Sequence, residues 1–436
     1  MLLKNVLTVA DRLVRAKKER PLLSTYFPSG TQFFYGYPSG DSSGFLNLVP
    51  PEVEEMVAAR VVSCAGKGVV PVCFYATTAD AIGKGVCAEF GIPMENQNAI
   101  ILPPHIDINL RGPERNQSII RELQRRLDKG RFVMAQPYTD DSLGEFYQIE
   151  PSVTAYFNDK HHMTDYIAKS WLPERRFAYD SGREFAASTD SIAAPAVIKV
   201  SASSSGDGVC ICKTQADVET ARERFGSASG RVIVEEHIDF RKSYGVHFGI
   251  PADPKKSADL IGINEQITTV HGEFLGGIIE HIKVPVALEG AVEHLINHIV
   301  PQVRAKGWHG IGGFDVLVDE NDRAYFIDAN FRMTGMSAYH FLIDAGKIHR
   351  PMMSVLGTYN GSEADLRQAF GKHAAQKSPD RFLKIICMSR HEDTWRFNGA
   401  LEYTSEEDLA RKVKQLIDIG VKSSVLETVY EALTEA

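Results

Sequence analysis

The stretch that decides the fold is Gly312-Gly313-Phe314-Asp315-Val316-Leu317-Val318-Asp319-Glu320-Asn321-Asp322-Arg323-Ala324-Tyr325-Phe326-Ile327-Asp328-Ala329-Asn330-Phe331-Arg332. Two runs rich in β-branched and aromatic residues flank the polar Glu320-Asn321-Asp322-Arg323, which predicts a hairpin. A four-residue loop pairs 318 with 325 and therefore 315 with 328, so that two carboxylates face one another. Side chains alternate along a strand, so Asp328, Asn330 and Arg332 share a face and project towards Asp315. Facing carboxylates repel unless a cation lies between them, and Mg²⁺ is typically held by one or two carboxylates plus substrate phosphates; Mn²⁺ suits the same oxygen ligands. Asp319, Asp322 and Arg323 read as a solvated hairpin tip, whereas Asp328 interrupts an apolar run where the chain should stay buried.

A metal that bridges phosphates needs a cradle for the phosphate chain. No GxxxxGK[ST] occurs, and no GxGxxG follows a strand. Instead the strand-like Ala196-Val197-Ile198-Lys199-Val200 runs into Ser201-Ala202-Ser203-Ser204-Ser205-Gly206-Asp207-Gly208 and a second strand, Gly208 to Cys212. Small residues let backbone amides and hydroxyls approach a phosphate closely, and such a loop can close as a lid. A lysine in an apolar strand is rarely buried unless paired, and a nucleotide phosphate is a ready partner for Lys199.

Outward from this centre, residues 151–345 read as helix Lys160 to Leu172, the two strands just named, helix Ala216 to Phe225, strand Arg231 to Glu235, and further strands with one helix, Val292 to Lys306. Residues 1–150 alternate apolar runs (Val69 to Tyr75, Ala99 to Leu102) with helical periodicity (Glu52 to Ser63, Ser118 to Leu127), the pattern of a mostly parallel sheet. Gly36 to Gly44 reads as a surface turn. Residues 346–436 offer a strand at Phe382 to Cys387, an amphipathic helix from Asp408 to Ile419 and a linker over Gly371 to Asp380.

Composition bounds the function. The 436 residues, 44% hydrophobic and 24% charged, describe an ordinary globular chain of two to four domains. A net charge of −8 without a basic block disfavours nucleic acid as a partner. No apolar run approaches the ~20 residues that span a bilayer, so no membrane role is expected. The amphipathic start, Met1 to about Arg20, lacks the apolar core of a signal peptide, and six cysteines without zinc spacing fit reduced thiols, so a cytoplasmic location is expected.

These residues together resemble the ATP-grasp ligases. Pro195 to Lys199 with the following small-residue loop is similar to the family's second nucleotide lysine and phosphate lid. Lys160 in Asn158-Asp159-Lys160 resembles the first nucleotide lysine, and Val232 to Ile238 the hinge strand that holds adenine. The resemblance implies an α/β (α+β) ATP-grasp fold: an N-terminal pre-ATP-grasp α/β domain (1–150), an ATP grasp in two subdomains (151–345, hinge near 235–238) and a small C-terminal segment (346–436).

It further implies ATP contacts from Lys160, Lys199, Ser203, Ser204, Ser205, Gly206 and Gly208. At the hinge it implies Glu235, Glu236, Ile238 and Asp239, with Glu235 preferred to Glu236 for adenine and Asp239 standing where members place an acid for ribose. Asp315, Asp328 and Asn330 match the metal ligands, with Asp328 where glutamate is commoner, and Arg332 matches a frequent catalytic arginine that acts beside Lys199.

The activity implied is ADP-forming ligation. A substrate carboxylate, amino-acid-like, becomes an acylphosphate and is joined to an amine or peptide acceptor. The layout resembles the peptide and amino-acid ligases of natural-product pathways. Loading of an amino acid onto a carrier protein, and an idle nucleotide-binding regulatory module, remain alternatives, and a homodimer remains an open assembly. Gln266 and His271, in the strand–turn–strand from Glu265 to Gly277, are the acceptor-side candidates. His161-His162 and the Cys210/Cys212 pair read as structural, and no arginine of 1–150 stands out as a carboxylate clamp.

Overall fold

The structure is a computed structural model that describes residues 22–34, 59–73, 100–101, 118, 121–122, 125, 132–134, 147–203, 206, 208–280, 284–374 and 382–435. Near the N-terminus, β1 (Thr31–Phe34), β2 (Val69–Cys73), β3 (Ile100–Ile101) and β4 (Phe132–Met134) form a sheet in the order β3-β2-β1-β4. Each pairing is parallel, as the alternating pattern predicts. β1 and β4, only 4 and 3 residues long, are too short for alternation to reveal. The expected first helix and the turn at 36–44 lie outside the described residues, as do Ser204, Ser205 and Asp207.

A small antiparallel sheet follows, built from β5 (Arg175–Tyr179), β6 (Ala196–Val200), β7 (Val209–Cys212) and β8 (Val232–Glu236) in the order β5-β8-β6-β7. The helix Gln215–Phe225 covers it through Val218, Ala221 and Phe225, one helical face, and is started by a capping box of Thr214 and Asp217. The helix expected over 160–172 is broken. A regular helix runs over Pro151–Asn158, and after it come a 3₁₀ turn (Lys160–His162), one α turn (Met163–Tyr166) and a second 3₁₀ turn (Lys169–Trp171). The break has a partner: Asp159 is extended, its carboxylate takes the His161 amide, and the Lys160 amide bonds the Ser201 carbonyl of the small sheet at 2.9 Å.

The large sheet has eight strands: β9 (Phe240–Ile250), β10 (Asp259–Thr268), β11 (Phe274–Ile279), β12 (Gly310–Asp319), β13 (Ala324–Asn330), β14 (Met352–Asn360), β15 (Leu383–His391) and β16 (Thr394–Glu402). Their order is β13-β12-β9-β10-β11-β14-β16-β15. Residues 346–436, expected as a small segment with one strand, therefore supply three strands to the same sheet. The amphipathic helix there, Glu406–Asp418, is N-capped by Ser405 and buries Leu409, Val413 and Leu416. The expected linker begins inside a helix, Glu363–Ala374. No helix among the described residues is long and apolar enough to cross a membrane.

The hairpin that opened the reading forms, with a different register. Val318 pairs with Ala324, not Tyr325, because Asp319 closes the tip by bonding the amides of Asn321 and Arg323. A bulge at Ile327 then restores Asp315 opposite Asp328. The two carboxylates face one another as expected, through one extra residue that the simple count omitted.

Candidate functional site

A cavity of about 530 Å³ lies between the small sheet and the large one. β6 brings it Lys199 and the end of β8 Glu236, with His237, Ile238 and Phe240 just beyond. The turn after the first helix adds Lys160, and the loop between β6 and β7 adds Ser203 and Gly206. From the opposite wall come Asp315, Asp328, Asn330 and Arg332.

Each cation is held by something from another element. Lys160, 3% exposed, reaches Asp328 Oδ1 at 3.1 Å and donates to the Ser203 carbonyl at 3.2 Å. Lys199, 5% exposed, donates to Glu235 Oε2 at 2.8 Å and to the Ile327 carbonyl at 2.9 Å. The carbonyl that Lys199 takes belongs to the bulge, where the ladder is interrupted. Arg332 donates to Asn158 Oδ1 at 2.7 Å, and the same oxygen takes the Phe331 amide at 3.1 Å, so the C-terminal end of the Pro151–Asn158 helix aims the guanidinium.

The acids divide into two kinds. Burial alone would raise the Glu235 carboxyl, but Lys199 and Arg175, the latter at 3.0 Å, hold it below the ordinary range. Asp315 goes the other way: burial and the facing Asp328 push it up to about 7, against the pull of Gln266, Arg332 and Lys160. A carboxyl strained by its twin and by desolvation is a natural place for a divalent cation. Two carboxylates and the Asn330 amide form a hard oxygen set that fits Mg²⁺, which completes its shell with phosphates and water. Among the described residues no cluster of three His, Cys, Asp or Glu forms.

Not every expected residue reaches the cavity. Asp239 has a 97% exposed side chain turned to His237. His271 sits in the exposed turn between β10 and β11 and does not line the cavity. Glu235 is engaged by Lys199 and Arg175, while Glu236 lines the cavity and accepts the Glu174 amide at 2.9 Å. Gln266 does reach it, as an orienter: its Nε2 donates to Asp315 Oδ1 at 2.8 Å, and its Oε1 accepts from Ser243 Oγ at 2.6 Å. Gly208 packs against Ser203, whose Oγ would lie 2.4 Å from a Cβ at that position. The loop's Gly206, at φ +83°, approaches Glu273 of the β10–β11 turn.

Four contributors escaped the sequence reading: Arg175, Asn158 as an orienter, Ser243 and Arg60. Arg175 lies in β5, a strand the sequence expectations did not include, and its partner Glu235 is 60 residues away. Arg60, 7% exposed, enters the cavity from the N-terminal part and donates to Asn398 Oδ1 at 2.9 Å. No local pattern connects positions 338 residues apart. Cys210 and Cys212 are free thiols 3.8 Å apart on β7, and His162 is occupied by Asp165.

Comparisons with known proteins bear on the fold. Residues 173–330 match the model of the L-aspartate–L-methionine ligase ATP grasp. A formate-dependent phosphoribosylglycinamide formyltransferase of Aliivibrio fischeri is 31% identical over 175 residues, 37% of this chain and 40% of that protein. The chain thus spans about two-fifths of the length of that curated relative. Among solved structures, an N5-carboxyaminoimidazole ribonucleotide synthetase with ADP superposes at a TM-score of 0.55, with 10% identity, over 91% of this chain and 98% of that one. An L-amino acid ligase from Bacillus licheniformis gives 0.53 and 11% over 90% and 98%. The chain has the ATP-grasp fold, an N-terminal α/β domain followed by a two-sided grasp whose sequence is similar to that of L-aspartate–L-methionine ligase.

Proposed function

We propose that the chain is an ADP-forming ATP-grasp ligase that activates an amino-acid-like carboxylate and joins it to an amine. The observation that carries the reading is the meeting, in one cavity, of two buried lysines with the facing pair Asp315 and Asp328. Phosphoryl transfer asks for positioning and charge stabilisation more than for covalent help. Lys160 and Lys199 are placed to take phosphate oxygens, with Ser203 and Gly206 above them. Mg²⁺ held by Asp315, Asp328 and Asn330 would neutralise charge on the phosphate chain. Glu236, His237 and Ile238 border the place where adenine fits, and Arg332 is aimed at the reacting carboxylate. The carboxylate oxygen attacks the γ-phosphorus, ADP leaves, and the amine then displaces phosphate from the acylphosphate.

The similarity to the aspartate–methionine ligase model supports an amino acid as the carboxylate and a peptide bond as the product. A role in natural-product assembly is part of this proposal, with a carrier-protein acceptor as its variant. The likeness to a formate-dependent formyltransferase supports a second reading, in which formate is the activated acid. ADP release measured over a panel of amino acids and formate, each with and without amine acceptors, tests both. Dependence on an amino acid and an amine, with a product mass equal to their condensation, supports the ligase. Dependence on formate and not on an amino acid supports the second reading, and the absence of ADP release with either acid leaves the idle module.

A further inference from the structure

The face of β7 turned away from the cavity carries two nucleophiles that the proposed phosphoryl chemistry does not use. Val209 and Ile211 line the cavity, so the alternating Cys210 and Cys212 point the other way, towards Val218, Ala221 and Phe225 of the helix Gln215–Phe225. Their Sγ atoms are 3.8 Å apart, with the Cys212 thiol donating. Of the five described cysteines, Cys64, Cys73, Cys212 and Cys387 are buried, and Cys210 alone is half-buried. The bond from Cys212 and the charge of Arg224 on the covering helix hold the Cys210 thiol below its ordinary range, against burial and Asp217. The same bond, together with burial, pushes the Cys212 thiol up. Cys210 therefore carries the reactive sulfur, and Cys212 keeps its proton beside it.

A thiolate is oxidised before a thiol, and a second thiol within reach converts the first product to a disulfide. We infer that Cys210 and Cys212 are a peroxide-sensitive modification site, where oxidation closes a disulfide that draws β7 out of its extended form at Ile211 and weakens nucleotide binding on the strand's other face. In the first step the Cys210 thiolate attacks hydrogen peroxide; an S–O bond forms as the O–O bond breaks, and hydroxide leaves. In the second the Cys212 sulfur displaces that oxygen from Cys210; the S–S bond forms as the S–O bond breaks, and the Cys212 proton leaves with hydroxide as water. Two thiols and one peroxide give one disulfide and two waters.

Residues two apart in a strand have Cα atoms roughly 6.6 Å apart, at about 3.3 Å per residue, whereas a disulfide prefers about 5.5–6 Å, so closing it shortens the strand around Ile211. β7 is the edge strand of the small sheet and pairs with β6, so it yields more readily than a central strand. Ile211 lines the cavity and meets the β10–β11 turn, where a Cβ on Gly272 would lie 3.2 Å from Ile211 Cδ1. At the other end of β7 the Val209 amide bonds the Gly206 carbonyl at 3.0 Å, which passes the shortening to the loop that faces Lys160. The pairing of the thiols stands apart from the ligase reading, and its effect on nucleotide rests on that reading.

The test exposes the reduced full chain to hydrogen peroxide, blocks the remaining thiols, maps the cysteine peptides by mass and measures equilibrium binding of ADP with Mg²⁺. The inference expects the peptide that spans 210–212 to lose two hydrogens and escape blocking. The Kd for ADP should rise by about fivefold or more, the lower end of the coupling between two sites, and dithiothreitol should reverse both changes. Cys210→Ser should keep the affinity of the reduced protein after peroxide. A chain whose Cys210 and Cys212 are both blocked after peroxide overturns the inference, as does a disulfide between other cysteines or a Cys210 sulfenic acid that persists and is captured by dimedone. A disulfide at 210–212 with unchanged ADP affinity overturns the coupling, and so does a loss of affinity that dithiothreitol does not reverse or that Cys210→Ser shares. The mass and binding measurements on the natural chain stand even if the variant fails to fold. A reduced chain that binds no ADP overturns the nucleotide reading and the coupling with it, while the peptide masses still decide the thiol pair.

Discussion

Lys199 on β6 bonds the carbonyl of Ile327, the bulge residue of β13, at 2.9 Å, so one ammonium ties the small sheet to the point where Asp328 is turned to face Asp315. The same ammonium satisfies Glu235 at 2.8 Å. The residue proposed to hold phosphate is thus also a tether between the small sheet and the large one. Lys199→Met is expected to destabilise the ligand-free protein by about 3 kcal/mol, the lower end of the cost of breaking a buried pair, because Arg175 remains on Glu235. Denaturant melts measure this, and a loss of nucleotide binding with unchanged stability would contradict the tether.

The facing carboxylates predict how the ligand-free protein responds to pH. Asp315 is raised from its ordinary 3.8 to about 7, so the fold favours its protonated form. That contribution is complete below the unfolded value near 4 and is lost as pH rises through about 7. Melting temperature without metal should fall by a few °C from pH 5 to pH 8 relative to Asp315→Asn, whose profile should be flatter and higher at pH 8. Parallel profiles for the two proteins would show that Asp315 is not strained.

Gln266 orients Asp315 through one hydrogen bond and is itself fixed by Ser243. Removing such a supporting partner typically costs ten- to a hundredfold in metal affinity. Gln266→Leu should raise the Mg²⁺ concentration for half-maximal ADP release by about tenfold, with near-normal turnover at saturating metal. An unchanged Mg²⁺ titration would place Gln266 outside this role.

Gly208 packs against Ser203, beside the proposed phosphate lysine Lys160. An alanine there puts its Cβ 2.4 Å from both Cβ and Oγ of Ser203, while Ser203 also receives Lys160. Gly208→Ala should lower ATP affinity about tenfold or more and lower the melting temperature as well, because the added Cβ meets the buried Ser203 and lies 3.2 Å from Val200 Cβ in the core of the small sheet. Equilibrium binding of ATP with Mg²⁺, set beside a thermal melt, separates the two effects.

Much of the molecule was legible because the signals were local. Runs of β-branched and aromatic residues around a polar loop placed β12 and β13, apolar runs placed β2 and β6, and amphipathic spacing over Asp408 to Ile419 placed the Glu406–Asp418 helix. Lys199 and Asp328 stood out because each charge interrupts an apolar run, whereas Lys160 was reached only through the resemblance of Asn158-Asp159-Lys160 to the ATP-grasp ligases. The bulge at Ile327 was not legible, since it depends on how Asp319 closes the turn and where Lys199 needs a carbonyl. The adjacent Glu235 and Glu236 could not be told apart without the neighbouring strand that supplies Arg175. Arg60 and Asn398 meet only after the whole sheet is assembled, so no stretch of sequence could pair them.

The central claim is that the Asp315/Asp328 end of the cavity supports phosphorylation of a carboxylate by ATP. The most direct measurement follows heavy oxygen from the carboxylate of a labelled amino-acid substrate into the phosphate released with ADP and Mg²⁺. The account predicts one labelled oxygen per phosphate in the natural protein and no ADP release from a folded Asp328→Ala variant. Unlabelled phosphate, or near-normal ADP release from Asp328→Ala, would contradict it.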